Sequence, residues 1–290
     1  MTAIQVLEPK LHDLGGGFTV RRLLPSAQRQ AVGPFLFFDH FGPVTAQPDD
    51  NHDVRPHPHI GLATVTYLFE GAMMHRDSTG VVQRIEPGAI NWMTAGSGIV
   101  HSERTPDDLR GVTRRSHGLQ LWIAVPAAHE EDAPSFSHTP ASQIPSVALP
   151  GATVRVLVGS AFGHTSPVQT LSQIVYLDLQ LHSGAELAID NVAQVRALYA
   201  IDAPFTVDGQ AFAAHTLVVL PEARAVTVAS ESPNRMVLVG GAPLGHRFIA
   251  WNFVSSRKER IVQAQDDWRA QRFAAVPGET EFIPLPERKM

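Results

Sequence analysis

The chain has 290 residues, a formal net charge of -5 and a pI of about 6.3. Its Lys and Arg residues form no cluster, which disfavours direct nucleic-acid binding, and no apolar run approaches membrane-spanning length. There are no cysteines, so disulfides and thiolate metal sites are excluded, and the N-terminal residues lack the basic and apolar pattern of a secretory signal. We therefore expect a cytoplasmic protein.

Turn residues are frequent along the whole chain. The 22 glycines and 22 prolines separate many short β-branched runs, which is typical of an all-β protein. The first strand is predicted to begin near Phe18, and the aromatic run FLFFDHF (35–41) predicts a buried strand. We interpret His40, at the end of that run, as a hydrogen-bonded structural histidine, with a pocket role as the alternative.

The sequence Pro56-His57-Pro58-His59 carries the first candidate ligands. A residue before proline is disfavoured in helical geometry, so this segment is predicted to be extended. In a strand, His57 and His59 then point to the same face. Because proline cannot donate to a sheet ladder, the strand is predicted to be an edge strand or to contain a bulge.

A second pair of candidate ligands follows the glycine-rich turn at 94–98. His101 and Glu103 have the same i, i+2 spacing, so they also share one face of a strand. Three imidazoles and one carboxylate suit a first-row metal such as Fe, Ni, Cu or Zn. Four protein ligands would leave two positions open on an octahedral ion, whereas a closed tetrahedral zinc site would be structural. We interpret His75, between the two pairs, as a residue of a polar hairpin turn, with a pocket role as the alternative.

Alternating segments surround these ligands and recur after a proline-rich stretch. In the first half, strands are predicted over 62–69, 81–85, 89–93 and 118–125. The second half repeats this rhythm without His-x-His pairs, and Asp208-Gly209 is a strong hairpin signal. The strands predicted there are 154–158, 174–181, 186–189, 195–201, 205–207, 217–220, 225–228 and 236–239. His101 lies seven residues after Thr94, and Val228 lies seven residues after Pro221, at a similar turn. On this alignment an apolar residue replaces the ligand, so no metal is expected in the second unit.

The C-terminal residues change in character. Ser256 and Glu259 have the spacing of a capping box, and apolar residues then recur at helical intervals. The pattern predicts a helix over about 256–273, with Ile261 and Trp268 packed against a barrel. Residues 274–290 are predicted to be an extended tail.

Several motifs together resemble the pirin family of the cupin superfamily. They are RPHPHIGLATVTYLFEG (55–71), HRDSTG (75–80), PGAINWMTAGSGIVHSE (87–103), WNFVSS (251–256) and FLFFDHFGP (35–43). The resemblance implies two β-barrel cupin units, in tandem, with one metal in the N-terminal unit held by His57, His59, His101 and Glu103. Thr64 stands where the broader cupin pattern has a glutamate before Gly71, so Glu103 is expected to supply the carboxylate, as in pirins.

The expected division of the chain follows from this resemblance and from the proline-rich stretch. A metal-binding cupin domain is expected over 1–130, a linker over 131–146, and a metal-free cupin domain with the helix and tail over 147–290. The expected metal is one divalent ion, iron(II), with nickel, copper, zinc, cobalt and manganese as alternatives. A two-barrel chain covers its own sheet edges, so we expect a monomer.

The resemblance implies two classes of function. Some pirins resemble quercetin 2,3-dioxygenase, which predicts an enzyme that opens a flavonol ring with O2 and releases carbon monoxide. Glu103, as the carboxylate beside the metal, is then the candidate base. The alternative is a non-catalytic metal-binding protein that acts on a transcription factor or an enzyme partner. A third hypothesis, a storage or structural cupin, is disfavoured because the ligand set is retained.

Overall fold

The computed structural model describes residues 4–15 and 17–287, and strands dominate them. The strands of the first half are β1 (Gln5–Leu7), β2 (Lys10–Asp13), β3 (Thr19–Leu24), β4 (Phe35–Ala46), β5 (Val54–His59), β6 (Leu62–Glu70), β7 (Met73–Asp77), β8 (Val82–Ile85), β9 (Ile90–Thr94), β10 (Ile99–Arg104), β11 (Arg114–Ala124) and β12 (Ser135–Thr139). Short 3-10 helices occupy Asp107–Leu109, Ala127–His129 and Ala141–Gln143.

The second half continues in the same way and ends in a helix. Its strands are β13 (Ser146–Leu149), β14 (Ala152–Val158), β15 (Ser160–Ala161), β16 (His164–Thr165), β17 (Ile174–Leu181), β18 (Ala185–Ile189), β19 (Val195–Ala200), β20 (Phe205–Val207), β21 (Gln210–Phe212), β22 (Leu217–Val219), β23 (Val226–Ser230), β24 (Asn234–Gly241), β25 (Phe248–Ala250) and β26 (Phe253–Ser255). Helix α1 spans Lys258–Arg269. The all-β class with one short C-terminal helix is confirmed for the described residues.

The sheets repeat one topology twice. A seven-stranded sheet in the order β12-β9-β6-β11-β4-β3-β2 accompanies a four-stranded sheet in the order β5-β10-β7-β8. The second set is β1-β22-β19-β24-β17-β14-β13 with β18-β23-β20-β21. Position by position, β5 therefore corresponds to β18, β10 to β23 and β7 to β20. We call the two sets the first and the second barrel.

Contacts divide the chain into two compact units that differ from the expected domains. One unit comprises Met1–His12, Arg21–Asp39 and Thr139–Pro243, and the other comprises Asp13–Val20, His40–His138 and Leu244–Met290. These units differ from the expected boundaries at 130 and 147, and the expected division into two domains stays a prediction. The N-terminal residues group with the second barrel because β1 pairs with β22 as its edge strand, with Val6 opposite Val218.

The segment expected to be a linker, 131–146, takes part in a sheet. It contains β12, which is the edge strand beside β9 in the first barrel, and it ends where β13 begins. The prolines that suggested an open connection instead delimit this strand, with Pro134 before it and Pro140 after it. Phe136 and His138 alternate along β12 with more exposed residues, which is the pattern of a short strand.

The C-terminal residues pack on the first barrel rather than the second. Phe253 forms a parallel bridge with Ile60, and these two residues share an apolar cluster with Ile261 and Trp268 of α1. The predicted packing of Ile261 and Trp268 against a barrel is thus confirmed. The extended tail expected over 274–290 has no regular element up to residue 287, and its last three residues lie outside the described part.

The capping box predicted at the start of α1 is wrong. The N-cap residue is Arg257 and it makes no side-chain cap hydrogen bond. The hydroxyl and the backbone N–H of Ser256 instead donate to the buried carboxylate of Glu130, at 3.0 and 2.9 Å. Arg247 pairs with the same carboxylate at 2.9 Å. Ser256 is therefore occupied by a tertiary contact before the helix begins.

Candidate metal centre

Strands β5 and β10 lie side by side and bring the predicted histidines together. His101 is directly opposite His57, and Ile99 is opposite His59. Strand β5 is an edge strand, and its register with β10 shifts between His101 and Glu103. The prolines predicted one or the other of these two properties, and both agree with the ladder hydrogen bonds that Pro56 and Pro58 cannot donate.

The three histidines form a close, buried group. One ring nitrogen of each of His57, His59 and His101 lies within 4.8 Å of those of the other two. The ring of Trp122, from β11 on the facing sheet, meets the His59 ring edge-on with the ring centres 5.2 Å apart. The spacing prediction is confirmed for these three residues, which gather at one place inside the first barrel.

The hydrogen bonds of the histidines leave one nitrogen of each ring bare. Nδ1 of His57 donates to the carbonyl oxygen of Arg55 at 2.9 Å, and Nδ1 of His59 donates to that of Asn252 at 3.2 Å. Nδ1 of His101 lies 3.4 Å from Nδ1 of His75. In His57 and His59, Nε2 is then free to bind a metal ion, and the expected donation by the other ring N–H is observed. For His101 the same donation stays a prediction, because its partner is another ring nitrogen.

A buried polar atom without a partner indicates what the site is suited to hold. Nε2 of His101 is buried and has no hydrogen-bond partner. Leaving such an atom unpaired costs free energy, and a bound cation would satisfy it. Burial lowers the pKa of His57 to about 4 and holds those of His59 and His101 well below their usual value. The rings are therefore neutral near pH 7, which is the form that binds metals. The residues present fit a metal ion.

Glu103 lies on the same strand but is not part of the close group of histidines. The hydroxyl of Thr66 lies 3.5 Å from its Oε1 and 2.7 Å from Oε1 of Gln120. Burial of the carboxyl group raises the pKa of Glu103 to about 7, although the residue as a whole keeps intermediate exposure. The carboxyl group thus faces polar side chains of the opposite sheet, and its role as a fourth ligand stays a prediction.

His75 is where the sequence interpretation needs correction. It lies within β7, opposite Glu103, rather than in a turn, and it is buried. Its Nε2 donates to Asp77 at 2.9 Å, and the ring of Phe136 stacks on it with the ring centres 4.4 Å apart. The i, i+2 spacing of His75 and Asp77, the same spacing that located the ligands, was the signal for this pair.

His40 is confirmed as a structural histidine. It is fully buried, and its Nε2 lies 2.8 Å from Nε2 of His117. Among residues that the sequence did not single out, Asn252 matters through its carbonyl oxygen, which accepts from His59. A main-chain carbonyl has no signature in the sequence.

The second barrel has apolar residues at the positions of the ligands. Val228 is opposite Leu187, as His101 is opposite His57, and Val226 is opposite Ile189, as Ile99 is opposite His59. Leu187, Ile189 and Val228 are buried in the apolar core of that barrel. The alignment of Val228 with His101 is therefore confirmed by strand register, and a metal-free second barrel stays a prediction.

Two barrels of one topology, with a buried histidine triad that could hold a metal ion in the first, define a bicupin. The family model described as Pirin matches residues 17–123, and the Pirin C-terminal cupin domain matches residues 176–274. The chain belongs to the pirin family.

Individual relatives agree with this assignment. A pirin-like protein of Caulobacter vibrioides is 43% identical over 97% of this chain and 99% of its own length. Pirin of Homo sapiens is 34% identical over 88% of each chain. The crystal structure of a quercetin 2,3-dioxygenase from Acinetobacter baumannii is similar with a TM-score of 0.90 and 34% identity, over 99% of this chain and 97% of that one. No helix among the described residues is long and apolar enough to cross a bilayer.

Proposed function

We propose that this protein is a metal-dependent dioxygenase that opens a flavonol-type ring with O2. Both atoms of O2 enter the organic product, and one ring carbon leaves as carbon monoxide. The observation that carries the proposal is the triad of neutral histidines, with bare nitrogens, beside the carboxyl group of Glu103 in a buried interior. The similarity to a quercetin 2,3-dioxygenase over 99% of the chain supports it.

His57, His59 and His101 would hold the metal, and we propose Glu103 as the fourth ligand. Nitrogen and carboxylate donors suit iron(II), which we propose as the native ion, and also suit nickel, copper, zinc, cobalt and manganese to differing degrees. When bound, the ion supplies Lewis-acid activation of a substrate hydroxyl oxygen. That the protein acts as a cytoplasmic monomer stays a prediction.

Glu103 is the proposed base for the substrate hydroxyl. It accepts the proton from the flavonol 3-hydroxyl, and the Thr66 hydroxyl lies 3.5 Å from its Oε1. The acceptor must lie within hydrogen-bond reach of the proton that it takes, and its position on β10, two residues from His101, places it beside the histidines. Burial of the site keeps bulk water from competing for that proton.

Oxygen uptake by the metal-loaded protein tests this proposal. The protein is stripped of metal, reconstituted anaerobically with iron(II), and given quercetin and O2. We expect metal-dependent O2 consumption and carbon monoxide release. The activity should be lost in His101→Ala and retained in His182→Ala, which removes an exposed histidine of the second barrel.

The opposite result has a defined meaning. Stoichiometric metal binding without O2 uptake would contradict a flavonol dioxygenase. It would favour the alternative, a metal-binding protein that modulates a transcription factor or an enzyme partner.

A further inference from the structure

His75 and Asp77 are buried beside the metal centre but have no place in the proposed reaction. Asp77 lies opposite His101 in the register of β10 and β7, and His75 lies opposite Glu103. Cross-strand partners share one face of a sheet, so all four side chains point into the first barrel. Both His75 and Asp77 are buried, at 2% and 0% exposure.

The hydrogen bonds of Asp77 determine the tautomer of His75. Oδ1 of Asp77 accepts from the backbone N–H and the hydroxyl of Thr79, at 2.9 and 2.6 Å, and from the N–H of Val81 at 3.3 Å. Oδ2 accepts from Nε2 of His75 at 2.9 Å. A carboxylate that receives four donors is an acceptor only. Nε2 of His75 therefore carries a proton, and in the neutral form of the ring Nδ1 is left as the acceptor.

The tautomer of His75 in turn determines that of His101. A bare Nδ1 on His75, 3.4 Å from Nδ1 of His101, accepts only if His101 carries its proton on Nδ1. Nε2 of His101 is then the bare atom, and it is the buried nitrogen that lacks a partner. The stacked ring of Phe136 restrains the His75 ring in this orientation.

The second barrel provides an internal comparison. Val207 lies opposite Val228, as Asp77 lies opposite His101. Phe205 precedes Val207 by two residues, as His75 precedes Asp77, and both are buried. In the second barrel, Val228 replaces the ligand, and the residues that correspond to Asp77 and His75 are apolar as well. If His75 and Asp77 had a purely structural role, apolar residues such as Phe205 and Val207 could fill their positions.

We propose that Asp77 and His75 form a positioning relay that fixes His101 in the Nδ1-protonated tautomer, with Nε2 presented to the metal. The inference rests on the metal-binding role proposed for His101 and is independent of the reaction catalysed. Partners of this kind raise the basicity of a ligating histidine and fix its ring, and their loss costs about 10–100-fold in metal affinity.

The test compares two substitutions of His75. His75→Phe copies Phe205 and removes the acceptor, while His75→Asn keeps an acceptor oxygen near the position of Nδ1. We expect the affinity for Co2+, measured by calorimetry with chelator competition, to fall about 10–100-fold in His75→Phe. His75→Asn should recover most of the loss. Unchanged affinity in His75→Phe, or an equal loss in both variants, would overturn the proposal.

Two spectroscopic measurements test the tautomer of His101 directly, and the first of them needs no variant. The apo wild-type protein, labelled with 15N, should show His101 in the Nδ1-protonated tautomer in long-range 1H–15N spectra. The Co2+-loaded protein should show slowly exchanging N–H signals from all three histidines, and the signal of His101 should exchange rapidly in His75→Phe. Observation of the Nε2-protonated tautomer for His101 in the wild-type protein would contradict the relay.

Discussion

At the scale of single residues, the site depends on which atoms are left without hydrogen bonds. Nδ1 of His57 and Nδ1 of His59 donate to main-chain carbonyls, and Nδ1 of His101 lies 3.4 Å from Nδ1 of His75. Nε2 of His101 is buried and unpaired. Glu103 differs, because the groups around it are polar and it lies outside the close histidine group. The three histidines are therefore suited to bind an ion, and Glu103, whose pKa is raised to about 7 by burial, is also suited to the proposed exchange of a proton.

Substitution of Glu103 separates chemistry from stability. Glu103→Gln keeps the volume of the side chain and its contact with Thr66 but removes the base, so turnover should fall about 10²–10⁴-fold. The melting temperature should change little, because the wild-type carboxyl group is itself costly to ionise in this position. Turnover is measured by O2 uptake at equal metal content, with the exposed Glu86→Gln as control. Turnover equal to that of the wild type would disprove the base assignment.

Gly61, two residues after the end of the strand that carries His57 and His59, is a second position where the fold requires a particular residue. Its φ is +65°, and a Cβ built there would lie 2.0 Å from the carbonyl oxygen of Val254. Gly80 is a matched control, with φ of +92° and no atom within 4 Å of a built Cβ. We expect Gly80→Ala to cost about 1–2 kcal/mol from backbone strain alone.

Gly61→Ala adds a clash with main-chain atoms to that strain, so its cost should exceed about 4 kcal/mol. Urea unfolding of the two variants measures both values. Equal destabilisation would show that the approach of Val254 to Gly61 is not required by the fold.

At the scale of elements, the sequence predicted the bounds of strands that follow from local periodicity. It did not predict features that depend on contacts between distant parts of the chain. The strands 174–181 and 205–207 were predicted with the observed bounds, because their alternation is local. Helix α1 starts later than predicted, because Ser256 binds Glu130, 126 residues earlier in the chain. The acceptor of the His59 ring is the carbonyl of Asn252, 193 residues away. No local pattern carries such contacts.

The C-terminal tail is another element that acts through distant contacts. Glu279 accepts from Ser102 at 2.7 Å and pairs with Arg104, so the tail is fixed to the strand that carries His101. The N–H of Ile283 donates to the carbonyl of Pro56 at 2.8 Å, which fixes it to the strand of His57. Both ligand strands of the metal centre are therefore held from outside the barrel by the same short segment.

Substitution of Glu279 should loosen this attachment in a pH-dependent way. The hydrogen bond from Arg104, together with that from Ser102, holds the pKa of Glu279 below its usual value of 4.5. A carboxyl group whose pKa is lower in the folded state stabilises the fold above its usual pKa, and this contribution is lost as the pH falls through the folded-state pKa. Glu279→Gln should therefore lower stability by about 1–2 kcal/mol near pH 7.

The difference between Glu279→Gln and the wild type should shrink as the pH falls below 4.5, because the wild-type group is then being protonated. Melting temperatures from pH 7 to pH 3 measure it. Glu281→Gln, which alters a more exposed partner of Arg104, is the control and should have a small effect at every pH. A pH-independent difference for Glu279→Gln would show that the carboxylate charge is not involved.

At the scale of the whole molecule, one topology is used for two different interiors. The two sets of sheets have the same strand order, and β1 and β12 occupy corresponding edge positions. The sequence alone showed the repeated rhythm but not which strand completes which barrel. That assignment depends on β1 pairing with β22, across more than half of the chain, and it explains why the contact-based units do not follow the expected boundaries.

The contrast between the two interiors predicts one metal ion per chain. An ion needs several donors at one point, and the first barrel supplies three neutral imidazoles there. At the corresponding register positions the second barrel has Leu187, Ile189 and Val228, which offer no donor atoms and fill its core. A cation without ligands in such surroundings would bear a desolvation cost of many kcal/mol, so it would not bind.

Elemental analysis of the reconstituted protein, by mass spectrometry against protein concentration, should therefore give one ion per chain. The ratio should fall towards zero in His57→Ala and His101→Ala and stay at one in His182→Ala. Two ions per chain in the wild type, or one ion retained in both triad variants, would contradict a single site in the first barrel. Because the measurement counts ions and not turnover, it tests the metal centre whether or not the protein is a dioxygenase.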